Sequence, residues 1–312
     1  MSGWLRRPWT WSFIAAGLAW IVAWLAAGHG GGSLLSSALA FGAFYVIVGL
    51  GQMMVVTLGP GNIDLSVPSS IALAGVVAMK VMNGADPGIV PGLLAGLGAG
   101  LLVGLGNAAL IFILRIPPII ATLAASFIVQ SIAISVGGGL LTKPPAALGA
   151  FATARPYGLP LLALLALLLA LLFQAALERT IYGRAVRAIG QNRRAAYLAG
   201  LPVTATAVAT YVLSALMAAL CGILLASFSG GASLDMGAEY LLSSIAVVVI
   251  GGTAVAGGRA SVAGVWGGSL FLFLLVSMLN GFGFGAGGRT LLTGLIIIGV
   301  VAAASGGRRA AR

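Results

Sequence analysis

The sequence predicts an all-α, polytopic membrane protein of about ten transmembrane helices with both termini in the cytoplasm, and three observations predict it. The first is composition. Of 312 residues, 60% are hydrophobic and 7% charged, where an ordinary soluble domain is about a quarter charged. Mean hydropathy is +1.14. A soluble chain this apolar lacks the polar groups to cover its surface, whereas lipid solvates an apolar face directly. The second is the length of the apolar runs. Ten of them, 11–28, 36–58, 65–83, 88–114, 117–137, 158–177, 203–226, 241–257, 261–282 and 290–305, approach the roughly 17–25 residues that cross a bilayer core. The third is charge sidedness. With the N-terminus inside, the inner segments hold Arg6, Arg7, Arg115, Arg179, Arg184, Arg187, Arg193, Arg194, Arg259, Arg308, Arg309 and Arg312, and the outer ones only Lys80, Lys143, Arg155 and Arg289. Twelve against four is the bias expected of cytoplasmic loops.

Each span has local causes. Arg6 and Arg7 precede the first run, and the many apolar runs beyond it favour an uncleaved first helix over a signal peptide. The second run stops at Gly59-Pro60-Gly61, and Pro68, which has no amide donor, kinks the start of the third. In the fourth, Gly92, Gly96, Gly100 and Gly104 recur every four residues. Such a stripe lets backbones approach, as a moving interface or a static one; Gly264 and Gly268 repeat the spacing. Pro117 and Pro118 suit the first turn of the fifth. Gly200 followed by Pro202 reads as a helix stop before the seventh. The eighth and ninth are nearly continuous, parted by a Gly-rich hairpin carrying Arg259. No soluble domain interrupts the chain and no internal repeat is visible, so residues 1–312 read as one transmembrane domain with a polar cytoplasmic segment at about 178–202.

Several functions are disfavoured by the same residues. The net charge of +11 comes from 14 Arg and 2 Lys scattered between apolar runs, so no continuous basic face follows a phosphate backbone and no nucleic-acid partner is expected. One cysteine (Cys221) and one histidine (His29) provide neither a disulfide nor a zinc site. A phosphate-binding lysine loop is absent: Lys80 and Lys143 precede Val81 and Pro144 rather than Ser or Thr. A membrane-embedded enzyme needs clustered acids or metal ligands. The five acids are Asp64, Asp86, Glu178, Asp235 and Glu239, and only the last two are close in sequence. An ion-coupled transporter places ionisable groups mid-span, and only Asp64 qualifies.

Four segments carry the polar information. In Thr57-Leu-Gly-Pro-Gly-Asn-Ile-Asp-Leu-Ser-Val-Pro-Ser-Ser70, Asn62, Asp64 and Ser66 lie at a break between apolar helices. Irregular backbone at membrane depth must be buried in protein or line a watery cavity. Asp64 therefore caps the following helix, borders a solute path, or does both. Thr122, Ser126 and Gln130 lie four residues apart on one helix face, lining a path or bonding to neighbouring helices. Across Glu178–Pro202, Arg184, Arg187, Gln191 and Arg194 recur as one polar helix face, backed by Val186, Ile189 and Leu198. That face serves a partner protein or lies on anionic lipid. The fourth segment is the Gly-rich hairpin from Ile250 to Gly264.

Together these segments resemble the ribose/xylose-type permease family of bacterial ABC importers. The family's Gly-x-Asp-Leu-Ser-Val-Gly-Ser motif reads here Gly61-Asn-Ile-Asp-Leu-Ser-Val-Pro-Ser69, and Pro-Pro-Phe-Ile-x-Thr-Leu reads Pro117-Pro-Ile-Ile-Ala-Thr-Leu123. The stretch Thr-x-x-Gly-Arg-x-x-x-Ala-x-Gly-x-Asn-x-x-Ala-Ala-x-x-x-Gly matches from Thr180 to Gly200. A Gly-Gly-Thr-x-x-x-Gly-Gly motif matches from Gly251, closing at Gly264. The order holds over roughly residues 40–300, with departures at Asn62, Pro68, Arg193, Arg194 and Ala260. The resemblance implies a multi-pass permease of the inner membrane that is not itself an enzyme. Its implied partners are a second copy of the chain, a cytoplasmic ATPase that carries ATP and Mg, and a periplasmic solute-binding protein. It implies a monosaccharide or similar small polar solute; nucleosides, branched-chain amino acids and, further off, ion-coupled transport are the alternatives. It also implies that Arg184, Arg187, Asn192, Arg194, Ala195, Ala196 and Gly200 belong to the segment that docks on the ATPase. No cofactor is expected in this chain.

Overall fold

A computed structural model describes residues 8–27, 30–138 and 143–283, together with 285, 287, 288, 291–295, 298 and 299. The described residues are helical and contain no strand. In chain order the helices are α1 (Pro8–Ala27), α2 (Gly31–Thr57), α3 (Val67–Met82), α4 (Ile89–Phe112), α5 (Pro118–Gly137) and α6 (Ala146–Thr153). They continue with α7 (Leu161–Arg179), α8 (Ile181–Gln191), α9 (Arg193–Leu198), α10 (Val203–Ser229), α11 (Tyr240–Ile250) and α12 (Val262–Gly281). Six helical stretches among the described residues are long and apolar enough to cross a membrane, those of α2, α4, α5, α7, α10 and α12. Trp9–Leu25, Val67–Met82 and Tyr240–Ile250 are shorter apolar helices. Helices therefore occupy the first nine predicted runs; most of the tenth, 290–305, lies outside the described residues, as do Arg6, Arg7, His29, Arg289, Arg308, Arg309 and Arg312.

Two expectations need correction. The run 241–257 is not one span: α11 ends at Ile250 after 11 residues, about 16 Å of rise where the hydrocarbon core measures about 30 Å. The remainder, Gly251–Ser261, is a non-helical loop. It folds so closely onto α12 that a Cβ on Gly264 would lie 1.7 Å from the Gly251 carbonyl oxygen. The predicted polar face from Arg184 to Arg194 is also not continuous. Asn192 adopts extended backbone (φ −158°, ψ 103°), and its side chain accepts a hydrogen bond from the Ala195 amide at 3.0 Å. That is the N-cap geometry asparagine favours, and it starts a new helix rather than continuing the old one.

The bundle is built around α2, which is buried at every residue from Val46 to Thr57. It is surrounded by α7, α10, α11 and α12. α10 packs in turn on α3 and α4, while α3 also supports α5 and α1 lies along α12. The glycine stripe of α4 is a tight helix interface, with Gly92, Gly96, Gly100 and Gly104 all buried. A Cβ on Gly104 would lie 2.6 Å from the Val212 Cα of α10. The outer faces of α4, α5 and α7 are apolar, with Leu102, Phe127 and Leu171 each more than half exposed, as expected where lipid is the neighbour.

Candidate functional site

The chain between α2 and α3 turns through the left-handed region at Gly59 (φ 124°) and Gly61 (φ 79°), conformations that glycine adopts without a Cβ penalty. Asn62 bridges this break and α10: its amide nitrogen donates to the Gly59 carbonyl at 3.2 Å, and its oxygen accepts from the Tyr211 hydroxyl at 3.0 Å. Asp64 is buried and saturated with donors. One carboxylate oxygen accepts from the Ser66 amide at 3.0 Å and the Ser66 hydroxyl at 2.6 Å. The other accepts from the Ser214 hydroxyl of α10 at 2.8 Å. The Ser66 hydroxyl in turn accepts from the Asn107 side chain of α4 at 2.7 Å. Thr122 of α5 accepts from the Leu65 amide at 3.0 Å and donates to the Pro118 carbonyl at 2.9 Å. Asp64 therefore closes a two-residue turn onto Ser66, one step before α3, rather than capping the first helical amides of α3.

The energetics favour a fixed structure here. Hydrogen bonds to a charged group contribute about 1.5–3 kcal/mol each, and burying an ion costs several kcal/mol. Three donors offset most of that cost provided none is lost. The result is a junction that ties α3, α4, α5 and α10 to one irregular turn.

Of the other predicted path residues, Gln130 donates to the Leu234 carbonyl at 2.9 Å. Ser126 is partly exposed and makes no hydrogen bond among the described residues. Thr122 and Gln130 thus tie α5 to the turns before α3 and α11 rather than to neighbouring helices, and Ser126 makes neither kind of bond. Near Gln130, on the loop before α11, Asp235 is fully exposed, and the Ser233 hydroxyl donates to its carboxylate. That bond holds the carboxyl of Asp235 below the usual carboxylate range. Among the described residues no group of three or more His, Cys, Asp or Glu side chains is placed to hold a metal ion.

The polar segment folds as α8 and α9. Thr180 starts α8 by accepting from the Gly183 amide at 3.1 Å, and Val186 and Ile189 bury its inner face. Arg184, Asn192, Arg194, Ala195 and Gly200 are exposed, Ala196 is buried, and Arg187 is half-buried. Gly200 has φ 79°, the left-handed stop that Gly200 and Pro202 predicted. Arg187 does not share the open surface of Arg184: it lines a crevice with α7 and the start of α12.

One contact joins these parts, and sequence reasoning missed it. Gly190, on the inner face of α8, meets the last residue of α2 and the loop between α11 and α12. A Cβ there would lie 1.9 Å from the Thr57 carbonyl oxygen and 2.3 Å from the Gly258 nitrogen. Gly258 itself donates to the Thr57 carbonyl at 2.9 Å. Backbones of three segments therefore touch where the break carrying Asn62 and Asp64 begins. Asn107, Tyr211 and Ser214 were missed too; as isolated polar residues in apolar runs they carried the signal of interhelical bonding. Gln52 stands apart. It is buried in α2 with neither its side-chain nitrogen nor its oxygen hydrogen-bonded.

Residues 34–301 match the family described as branched-chain amino acid transport system / permease component. The ribose import permease protein of Bacillus subtilis is 34% identical over 268 residues, covering 85% of this chain and 79% of its own. The L-arabinose transport system permease protein of Escherichia coli is 35% identical over 251 residues, covering 80% and 76%. The fructose import permease protein of Bifidobacterium longum is 32% identical over 265 residues, covering 81% and 77%. No solved structure matches. With a match spanning the break, the glycine junction and the α8–α9 segment, the chain belongs to this family of transport-system permease components.

Proposed function

We propose that the chain is the membrane-spanning subunit of an ATP-driven importer in the bacterial inner membrane, carrying a monosaccharide or a similarly small, hydroxyl-rich solute. The observation that carries this reading is the Gly190 contact, which joins the exposed α8–α9 surface to the break in the bundle. A device for moving solute with energy supplied by a separate ATPase needs such a link, and the sequence has no phosphate-binding lysine loop of its own. Relatives that import ribose, arabinose and fructose support the solute class.

In this reading both termini and α8–α9 face the cytoplasm, ten helices cross or enter the membrane, and two copies of the chain assemble with an ATPase and a periplasmic binding protein. The ATPase, with its ATP and Mg, docks on Arg184, Asn192, Arg194 and Ala195, with Ala196 and Gly200 fixing α9 and Arg187 at the edge of that surface. The solute path borders the partly exposed Asn62, Ser126 and Gln130. Asp64, Ser66 and Thr122 hold the turn beside it, so that a shift at Thr57 reaches the path as a change in the position of Asn62. The test is uptake of labelled pentoses and hexoses into proteoliposomes containing the subunit, its ATPase and its binding protein. ATP-dependent uptake of at least one sugar is expected. Uptake that needs an ion gradient and no ATP refutes the proposal.

A further inference from the structure

We propose that the crevice between α1, α7, α8 and α12 binds the headgroup of an anionic phospholipid, with Arg187 taking its phosphate. The crevice has a volume of about 580 Å³. Its polar end is formed by Arg187, Gln174, Ser261 and the first turn of α12, and its apolar end by Phe13, Leu167 and Leu171. Two positive features therefore converge. One is the Arg187 guanidinium, which pairs with no acid among the described residues. The other is the N-terminus of a 20-residue helix, which carries a partial positive charge and whose first amides have no intrahelical acceptor, that of Gly264 being capped by the Ser261 hydroxyl at 3.3 Å. The nearest acid in sequence, Glu178, is engaged instead by the Gln174 amide. A phosphate matches the guanidinium fork and the helix terminus together.

The apolar end selects a lipid over a free anion. Leu167 and Leu171 are 46% and 59% exposed, so the crevice opens sideways along α7. From Gln174 to Leu167 is seven residues, about 10 Å of helix, the depth over which a lipid passes from phosphate to acyl chain. Trp9 and Trp266 flank it, as aromatic residues do at headgroup level. The assignment concerns the leaflet on the α8 side and holds whichever way the chain faces. It also separates Arg187 from Arg184: one helix turn carries one arginine toward lipid and the other toward open surface.

The test is native mass spectrometry of the delipidated full-length chain titrated with phosphatidylglycerol and, separately, phosphatidylcholine. Wild type is expected to prefer phosphatidylglycerol. Arg187→Gln should weaken that binding about fivefold or more, Arg187→Lys should keep most of it, and Arg184→Gln should not change it. Ala263→Glu is a second probe that places a carboxylate at an exposed first-turn position of α12, where it favours the helix; it should abolish the preference without unfolding the chain. Equal losses in Arg184→Gln and Arg187→Gln would indicate diffuse attraction to basic residues and overturn the site. So would equal retention of the two lipids, or displacement of phosphatidylglycerol by millimolar inorganic phosphate.

Discussion

Gly190→Ala adds one methyl group where α8, the end of α2 and the α11–α12 loop meet. The new carbon would lie 1.9 Å from the Thr57 carbonyl oxygen; moving it out to 3.0 Å, the shortest separation seen for real Cβ contacts, requires a shift of about 1.1 Å (3.0 − 1.9). The obstructing atoms are backbone, so no rotamer change relieves the clash. Overpacking a rigid site costs about 1–3 kcal/mol. Parting Gly258 from Thr57 breaks their 2.9 Å hydrogen bond, and an unsatisfied buried partner adds about 1–3 kcal/mol. A total of about 2–6 kcal/mol follows, enough to displace α8 from the junction while the helices remain inserted. The assay has two readouts: thermal unfolding of the purified subunit, and solute-stimulated ATP hydrolysis with uptake after reconstitution. Melting should fall by several degrees, and uptake by more than about tenfold, the equivalent of 1.4 kcal/mol. Gly106→Ala is the control. It has nothing within 4 Å of the added carbon, so it should be neutral or stabilising by about 0.5–1 kcal/mol. If Gly190→Ala melts and transports like wild type, backbone contact at Gly190 does not transmit motion.

Four further outcomes are expected. Asp64→Ala leaves two hydroxyls and an amide without their acceptor, so uptake should be lost while membrane insertion is retained. Asp64→Asn, which keeps one acceptor oxygen, should be milder, and normal uptake in both variants would contradict a role for the turn. Gln52→Leu removes two unsatisfied buried polar atoms and should raise the melting temperature, by the equivalent of about 1–3 kcal/mol; a fall would mean that Gln52 acquires a partner in the assembled transporter. Gly200→Val meets no neighbouring atom but must hold φ 79°, a strain of about 1–2 kcal/mol that should weaken co-purification of the ATPase; unchanged recovery would dissociate the stop from docking. In a Cys221→Ala background, single cysteines at positions 194 and 143 should label from opposite sides of the membrane; labelling from one side refutes the orientation.

Apolar runs and their breakers located the helices well, because a span must be apolar along its whole length and Gly or Pro ends it. Gly59–Gly61, Pro117–Pro118 and Gly200 each stand where the chain turns. The same reasoning overextended the eighth run, since hydropathy does not distinguish a helix from an apolar loop buried against one, as at Gly251–Ser261. Periodicity likewise carried the polar face past Asn192, where a local side-chain bond to the Ala195 amide outweighs helical continuation. Within the site, Asp64 stood out because acids are scarce, yet the distant residues that hold its turn, Asn107 through Ser66 and Ser214 directly, were illegible. Asn107 and Ser214 lie 43 and 150 residues further along the chain (107 − 64 and 214 − 64). Nothing local marks two polar residues that distant as neighbours. Gly190 was visible only as a motif position, and its reason is a meeting of three backbones that no spacing rule encodes.

The burial of α2 has a consequence for how the protein is made. α2 is enclosed by α7, α10, α11 and α12, all later in the chain and so translated after it. Until α10 is delivered, α2 stands in lipid with faces that end up against protein, and the amide of Gln52 stands there with it. The apolarity of α2 is thus a requirement of its interim environment, while its small and close-fitting residues suit its final one. A nascent chain stopped before Val203 would hold α2 packed against α7 alone of these four helices, with the faces that later meet α10, α11 and α12 still open.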